Sequence, residues 1–187
     1  MATTTQSKQR PVYSTRHEQL DVAVWPNELE RGVIYNVSIK RSYKDGDEWN
    51  HTQMNVGEHH VLRVTKLLDW ADSEIQELIA ANTEFRNSDH PVTSKRVGNL
   101  EVSVWQRDTK KGVRYRVSLV RHYQDGDWKK LTVWLQSNDC LATARLLERT
   151  FDSIDRLRNS NSSDFVQAAK TEFGADVDSV GDDEPPF

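Results

Sequence analysis

Gly32-Val-Ile-Tyr-Asn-Val-Ser-Ile-Lys-Arg-Ser-Tyr-Lys-Asp-Gly-Asp47 returns eighty residues later as Gly112-Val-Arg-Tyr-Arg-Val-Ser-Leu-Val-Arg-His-Tyr-Gln-Asp-Gly-Asp127. The correspondence extends upstream, where Pro11 to Trp25 lies over Pro91 to Trp105 at the same offset. From 11 to 47, 18 of 37 positions are identical. Glu48 is then one extra residue, and an offset of 79 pairs Trp49 with Trp128, Leu62 with Leu141 and Ile75 with Ile154. Self-similarity of this length marks a tandem repeat, so the fold of the chain follows from the fold of one unit.

Each unit reads as a short extended piece (12–16 and 92–96), a strand (19–26 and 99–106), a second strand (32–43 and 112–123), a third (49–56 and 128–135) and a closing helix (58–81 and 138–158). Asp-Gly-Asp between the second and third strands is a hairpin signal. Val61, Val64, Leu68, Ile75 and Leu78 hold a helical period in the first unit, as do Leu141, Ala144, Leu147, Phe151 and Ile154 in the second. Asn138 or Asp139 is placed to cap the second helix. The predicted class is α+β: repeat 1 over 11–81, a linker over 82–90, repeat 2 over 91–158, a disordered start over 1–10 and a flexible acidic tail over 159–187. A unit of about 70 residues has a marginal core alone. The two copies are therefore expected to share a buried surface as an intrachain pseudo-dimer.

Composition narrows the function classes. The 187 residues carry a formal charge of −4, a mean hydropathy of −0.77 and one cysteine, Cys140. No apolar run approaches the length of a membrane span, and the first residues lack the apolar stretch of a secretory signal. A single cysteine excludes an internal disulfide framework and fits a reducing compartment, so a cytoplasmic, nucleoid-associated location is expected. The charge is uneven. Repeat 1 has 7 basic and 12 acidic residues, repeat 2 has 14 and 8, and the stretch 161–187 has one and seven. Such asymmetry speaks of partners.

Strand alternation sorts the side chains into faces. In repeat 2, Leu100, Val102, Val104, Val113, Tyr115, Val117, Leu119, Leu131, Val133 and Leu135 point to the core. The opposite face then carries Trp105, Arg114, Arg116, Trp128, Lys130 and Trp134. Flat rings interleaved with cations suit unpaired bases, which stack on aromatics while phosphates meet positive groups. Repeat 1 offers a sparser version, Trp25, Lys40 and Trp49. Arg41/Arg121 and Tyr43/Tyr123 recur near the hairpin ends, where hairpin packing and contacts to a DNA backbone both account for them.

The tail ends Asp182-Asp183-Glu184-Pro185-Pro186-Phe187. This resembles the tip of bacterial single-stranded-DNA-binding proteins, an acidic run closed by an apolar residue, Pro and Phe, with Pro185 where that family has Ile or Leu. The resemblance implies a segment that recruits replication or repair proteins. Physically, an aromatic ring behind a run of carboxylates fits an apolar pocket with a basic rim. The body, with its short strand, three longer strands and helix, resembles the positive-cofactor-four coactivators and plant Whirly proteins in element order. That likeness implies single-stranded DNA binding by a paired β surface, and the repeat pattern also resembles that of small bacterial and phage proteins. DNA replication, repair and recombination are the implied settings. Homo-oligomerisation stays open.

Two other readings use the same face: a protein–protein adaptor without DNA contact, and an RNA-binding module. An enzyme is the least favoured. No phosphate loop, serine elbow or carboxylate pair is present, so no catalytic residue, cofactor or metal is expected. His59-His60 lacks further ligands at useful spacing. The Asp-Gly-Asp turns lack the ligand pattern of a calcium loop. Cys140 reads as a small residue on a packed helix.

Overall fold

The structure, a computed structural model, describes residues 10–30, 32–85 and 89–172, with side chains as far as Ser160. Residues 155 onward form a unit separate from the compact body that ends at Ile154. The body contains two four-stranded antiparallel meanders. The first runs β1 (Tyr13–His17), β2 (Leu20–Leu29), β3 (Gly32–Asp45) and β4 (Glu48–Gly57). A single 3-10 turn, Glu58–His60, leads into α1 (Val61–Ala80). The second runs β5 (Thr93–Val97), β6 (Leu100–Arg107), β7 (Arg114–Asp125) and β8 (Asp127–Gln136), followed by α2 (Asp139–Glu172). The α+β class and the repeated unit are as the sequence predicts.

The extra Glu48 is absorbed at a hairpin tip. In repeat 1 the closing pair is Asp45 with Glu48, and in repeat 2 it is Asp125 with Asp127. Gly46 and Gly126 turn these tips at φ 61° and 69°, a region costly for residues with a Cβ. Below the tips the registers coincide, Lys44 opposite Trp49 and Gln124 opposite Trp128. A one-residue slip would have turned the core face outward; placing the insertion in the turn prevents it.

The core faces are mainly apolar. Val22, Val24, Val37, Ile39, Met54 and Val56 are sealed in the first sheet, and Leu100, Val102, Val104, Val117, Leu119 and Val133 in the second. Leu131 is only half-buried, lying towards the hairpin end of β8. From α1, Val61, Val64, Leu67, Leu68, Ala71 and Ile75 are buried. From α2 the buried side chains include Cys140, Ala144, Leu146, Leu147 and Ile154. Leu141, predicted for the core stripe, is exposed instead; Ala144, Leu147 and Ile154 of the same stripe are buried, and Cys140 takes the inward position in the first turn.

The repeats exchange contacts. α1 lies against β6 and β5 of the second repeat, and β4 runs beside β8. Lys95 on β5 sits over the Trp70 ring of α1, 5.2 Å from its centroid. Trp134 donates its backbone N–H to the Thr52 hydroxyl at 3.1 Å. Arg41 of β3, buried, donates Nε to Asp139 at the start of α2, and the same carboxylate oxygen accepts the Gln136 backbone N–H at 2.7 Å. A buried guanidinium with a carboxylate partner satisfies both desolvated charges. Hairpin-end Arg41 thus packs between the repeats.

α2 continues without a break through Asn159–Ser163, where the sequence predicts the helix to stop. That stretch holds no Gly or Pro, and residues of middling propensity do not by themselves terminate a helix. The tip residues Asp182, Asp183, Glu184, Pro185, Pro186 and Phe187 lie outside the described residues.

Candidate nucleic-acid interface

The outer face of the second sheet is built from three strands in register. Trp105 on β6 pairs with Arg116 on β7, and Ser103 with Ser118, which in turn pairs with Trp134 on β8. Side chains at these positions share one face, and the indoles meet on it. The Trp105 and Trp134 ring centroids are 6.0 Å apart with planes inclined by 57°, an attractive tilted geometry. The Arg116 guanidinium lies 4.4 Å from the Trp134 centroid, within cation–π range. Trp105 donates Nε1–H to the Ser118 hydroxyl at 2.9 Å. The bond fixes the indole and satisfies its one polar group. Ser103 and Ser118 are buried although they sit on the non-core side, Ser118 beneath the Trp105 indole and Ser103 beside Glu101.

The other predicted residues spread along the same face. Lys130 joins Trp105 and Trp134 in lining a recess of about 180 Å³ that also contains Glu101 and His122. His122 Nε2 lies 3.1 Å from a Glu101 carboxylate oxygen. Arg114 is exposed, opposite Arg107. Trp128 is 72% exposed at the hairpin end, six residues from Trp134, or about 20 Å along the strand. The predicted set is therefore one tight cluster (Trp105, Arg116, Trp134) with Lys130 beside it, plus the outlying Arg114 and Trp128.

In repeat 1, Trp25 donates Nε1–H to the Ser38 hydroxyl at 3.1 Å, repeating the indole–serine bond. Trp25 and Lys40 are half-buried, and Trp49 is 65% exposed at its hairpin tip. The counterparts of Arg116 and Trp134 are Asn36 and Asn55, so no stacked ring and cation form there.

A second depression was not predicted. It encloses about 400 Å³ and takes its walls from both repeats: Arg41, Tyr43, Lys44, Asp45 and Thr52 from the first, Arg107, Arg116, Trp134, Leu135 and Gln136 from the second. Arg107 follows Trp105 by two residues, so extending the period-2 pattern by one step finds it. Tyr43 and Lys44 reach the site only through the packing of one repeat on the other. Burial, and after it the neighbouring Arg107 guanidinium, lowers the Arg116 pKa. Both effects oppose the positive charge, which Arg nevertheless retains, and an anion set between the two would relieve the repulsion.

Among the described residues there is no cluster of three or more His, Cys, Asp or Glu side chains able to hold a metal ion. No described helix is long and apolar enough to cross a membrane. Cys140 is buried, and desolvation, reinforced by the carboxylates of Asp72 and Asp139, pushes its thiol up to about 12. Such a thiol is a poor nucleophile. Compared with protein-family models and with curated proteins, the chain has no match.

Proposed function

We propose that this chain is a non-enzymatic single-stranded-DNA-binding protein, with repeat 2 as its main contact surface. The observation that carries the reading is the cluster of Trp105, Trp134 and Arg116 on a sheet face turned away from the core. Indoles in that position contribute little to the core of their own sheet. With a guanidinium against one ring and further cations nearby, they offer a platform for unpaired bases with charge for phosphates. The net positive charge of repeat 2 supports the same reading, since counterion release scales with phosphates neutralised. Repeat 1 extends the footprint through Trp25, Lys40 and Trp49, the two repeats acting as a pseudo-dimer. The segment Asp182–Phe187 is the recruiting arm, acidic towards a basic rim and aromatic towards a pocket.

Titration with oligothymidine, read by tryptophan fluorescence over a salt series, tests the proposal. Quenching is expected, with log K falling against log salt by roughly 0.7 per phosphate contacted, and little response to duplex of equal length. Absence of quenching at low salt overturns it. Oligouridine in the same titration reports any preference for RNA. In a gel shift, removing the last eight residues preserves or strengthens the DNA complex. No shift by either form would leave a protein adaptor as the reading.

A further inference from the structure

We propose that the depression between the repeats is the anchoring site of the strand: it takes one nucleotide unit, with the phosphate held by Lys44 and Arg107 and the base beside Trp134 and Tyr43. This rests on the single-stranded-DNA reading above and gives it a polarity that a symmetric duplication would lack.

The volume, about 400 Å³, accommodates a nucleotide, and the lining has the needed chemistry. Arg107 and Lys44 are exposed cations from different repeats, and the one ion pair of Lys44 among the described residues is a loose, solvent-exposed one with Asp47 at 3.8 Å that an incoming phosphate can displace. Arg41 forms the floor, its charge already matched by Asp139, so it adds rigidity without competing for the anion. Asp45, the acidic wall residue, sits on the repeat 1 side. Arg116 belongs both to this lining and to the cation–π pair with Trp134. The same Trp134 ring also walls the recess containing Lys130, so a strand leaving the anchor would pass directly onto the sheet face.

The duplication supplies an internal control. In repeat alignment Arg107, Arg116, Trp134 and Lys44 correspond to Asn27, Asn36, Asn55 and Gln124. Three cations and a tryptophan become four neutral amides, while Tyr43 and Asp45 keep their counterparts Tyr123 and Asp125. The arginine at the counterpart position also turns to different partners. Arg121 donates Nη1–H to the Asn55 carbonyl oxygen at 2.8 Å, and its guanidinium lies 5.9 Å from the Tyr123 centroid. One of the two equivalent positions thus carries an anion- and base-binding lining, and the other does not.

The test uses the full chain and a fluorescein-labelled thymidine pentamer. The double variant Lys44→Gln, Arg107→Asn places in the anchor the residues that the other repeat carries, on exposed positions the fold tolerates. It is expected to bind the pentamer at least about tenfold more weakly, with the salt slope shallower by roughly 0.7, the share of the one phosphate held there. The reciprocal variant Asn27→Arg, Gln124→Lys should show no such loss. If the wild-type chain binds the pentamer and the double variant matches its affinity and slope, the anchor assignment is overturned while the binding function stands. If the reciprocal variant loses as much as the double variant, the asymmetry is wrong. If the wild-type chain binds neither the pentamer nor longer oligothymidine, the function itself falls and takes the anchor with it.

Discussion

Each repeat places a serine hydroxyl beneath an indole nitrogen, Ser38 under Trp25 and Ser118 under Trp105. The shared bond is structural: it orients a half-buried ring on a sheet. What distinguishes the copies is the next strand, which carries Trp134 in one and Asn55 in the other. Trp134→Ala should therefore weaken oligothymidine binding by about 1–3 kcal/mol, roughly 5- to 150-fold, the worth of one stacked base. Trp25→Ala should cost measurably less in the same titration, and comparable losses would contradict the division of labour. The helix starts differ in the same way. Arg41 meets Asp139, whereas the corresponding Arg121 faces His60. Desolvation first, then the charges of His59, Arg63 and Arg121, lowers the His60 pKa from 6.5. A depressed value means the unfolded chain takes up the proton at higher pH than the folded one. The stabilisation is present above 6.5 and is lost as pH falls through the folded value. Urea melts should show stability declining from about pH 7 to pH 5, and His60→Gln should flatten part of that decline.

At the scale of elements, α2 is where chemistry and packing meet. Its N-terminal turn carries both Asp139, which binds Arg41, and Cys140, whose thiol is buried. The thiol value rises from 9.0 to about 12, so the native state keeps a proton that the unfolded chain releases. The contribution to stability is complete below pH 9 and is lost as pH climbs towards 12. At pH 8 the folded protein should react with a thiol reagent far more slowly than the chain in denaturant; equal rates would show that the helix start opens freely. The hairpins show a different economy. An insertion at the tip changes the turn and leaves every pair below it in register, so the outer face is conserved in geometry and free to diverge in chemistry.

For the molecule as a whole, the important feature is that α1 of repeat 1 lies against β6 and β5 of repeat 2. Each sheet has one apolar face, and a two-layer domain must cover it. Residues 91–160 expressed alone should lack part of that cover and fail to unfold cooperatively in a urea melt followed by circular dichroism. A sharp transition equal to that of the full chain would show the repeats to be independent. The same packing brings Lys44 and Arg107 to one depression although they lie in different repeats. On the proposed function the charge difference between the repeats adds a direction: a strand should engage repeat 2 first.

The duplication, the strand order, the hairpin turns and the two faces of each sheet were all legible in the linear chain, because repeat offset and a period of two depend only on neighbouring residues. So were the indoles and cations of repeat 2, since Trp105, Arg116 and Trp134 fall on one face by alternation alone. The fate of Arg41 was not legible; hairpin packing and DNA contact were equally open until Asp139, 98 positions away, was found beside it. Nor could alternation tell a tight cluster from the outlying Trp128, or place Tyr43 and Lys44 opposite Arg107. Those relations come from one sheet packing on another, and long-range packing leaves no period in the sequence.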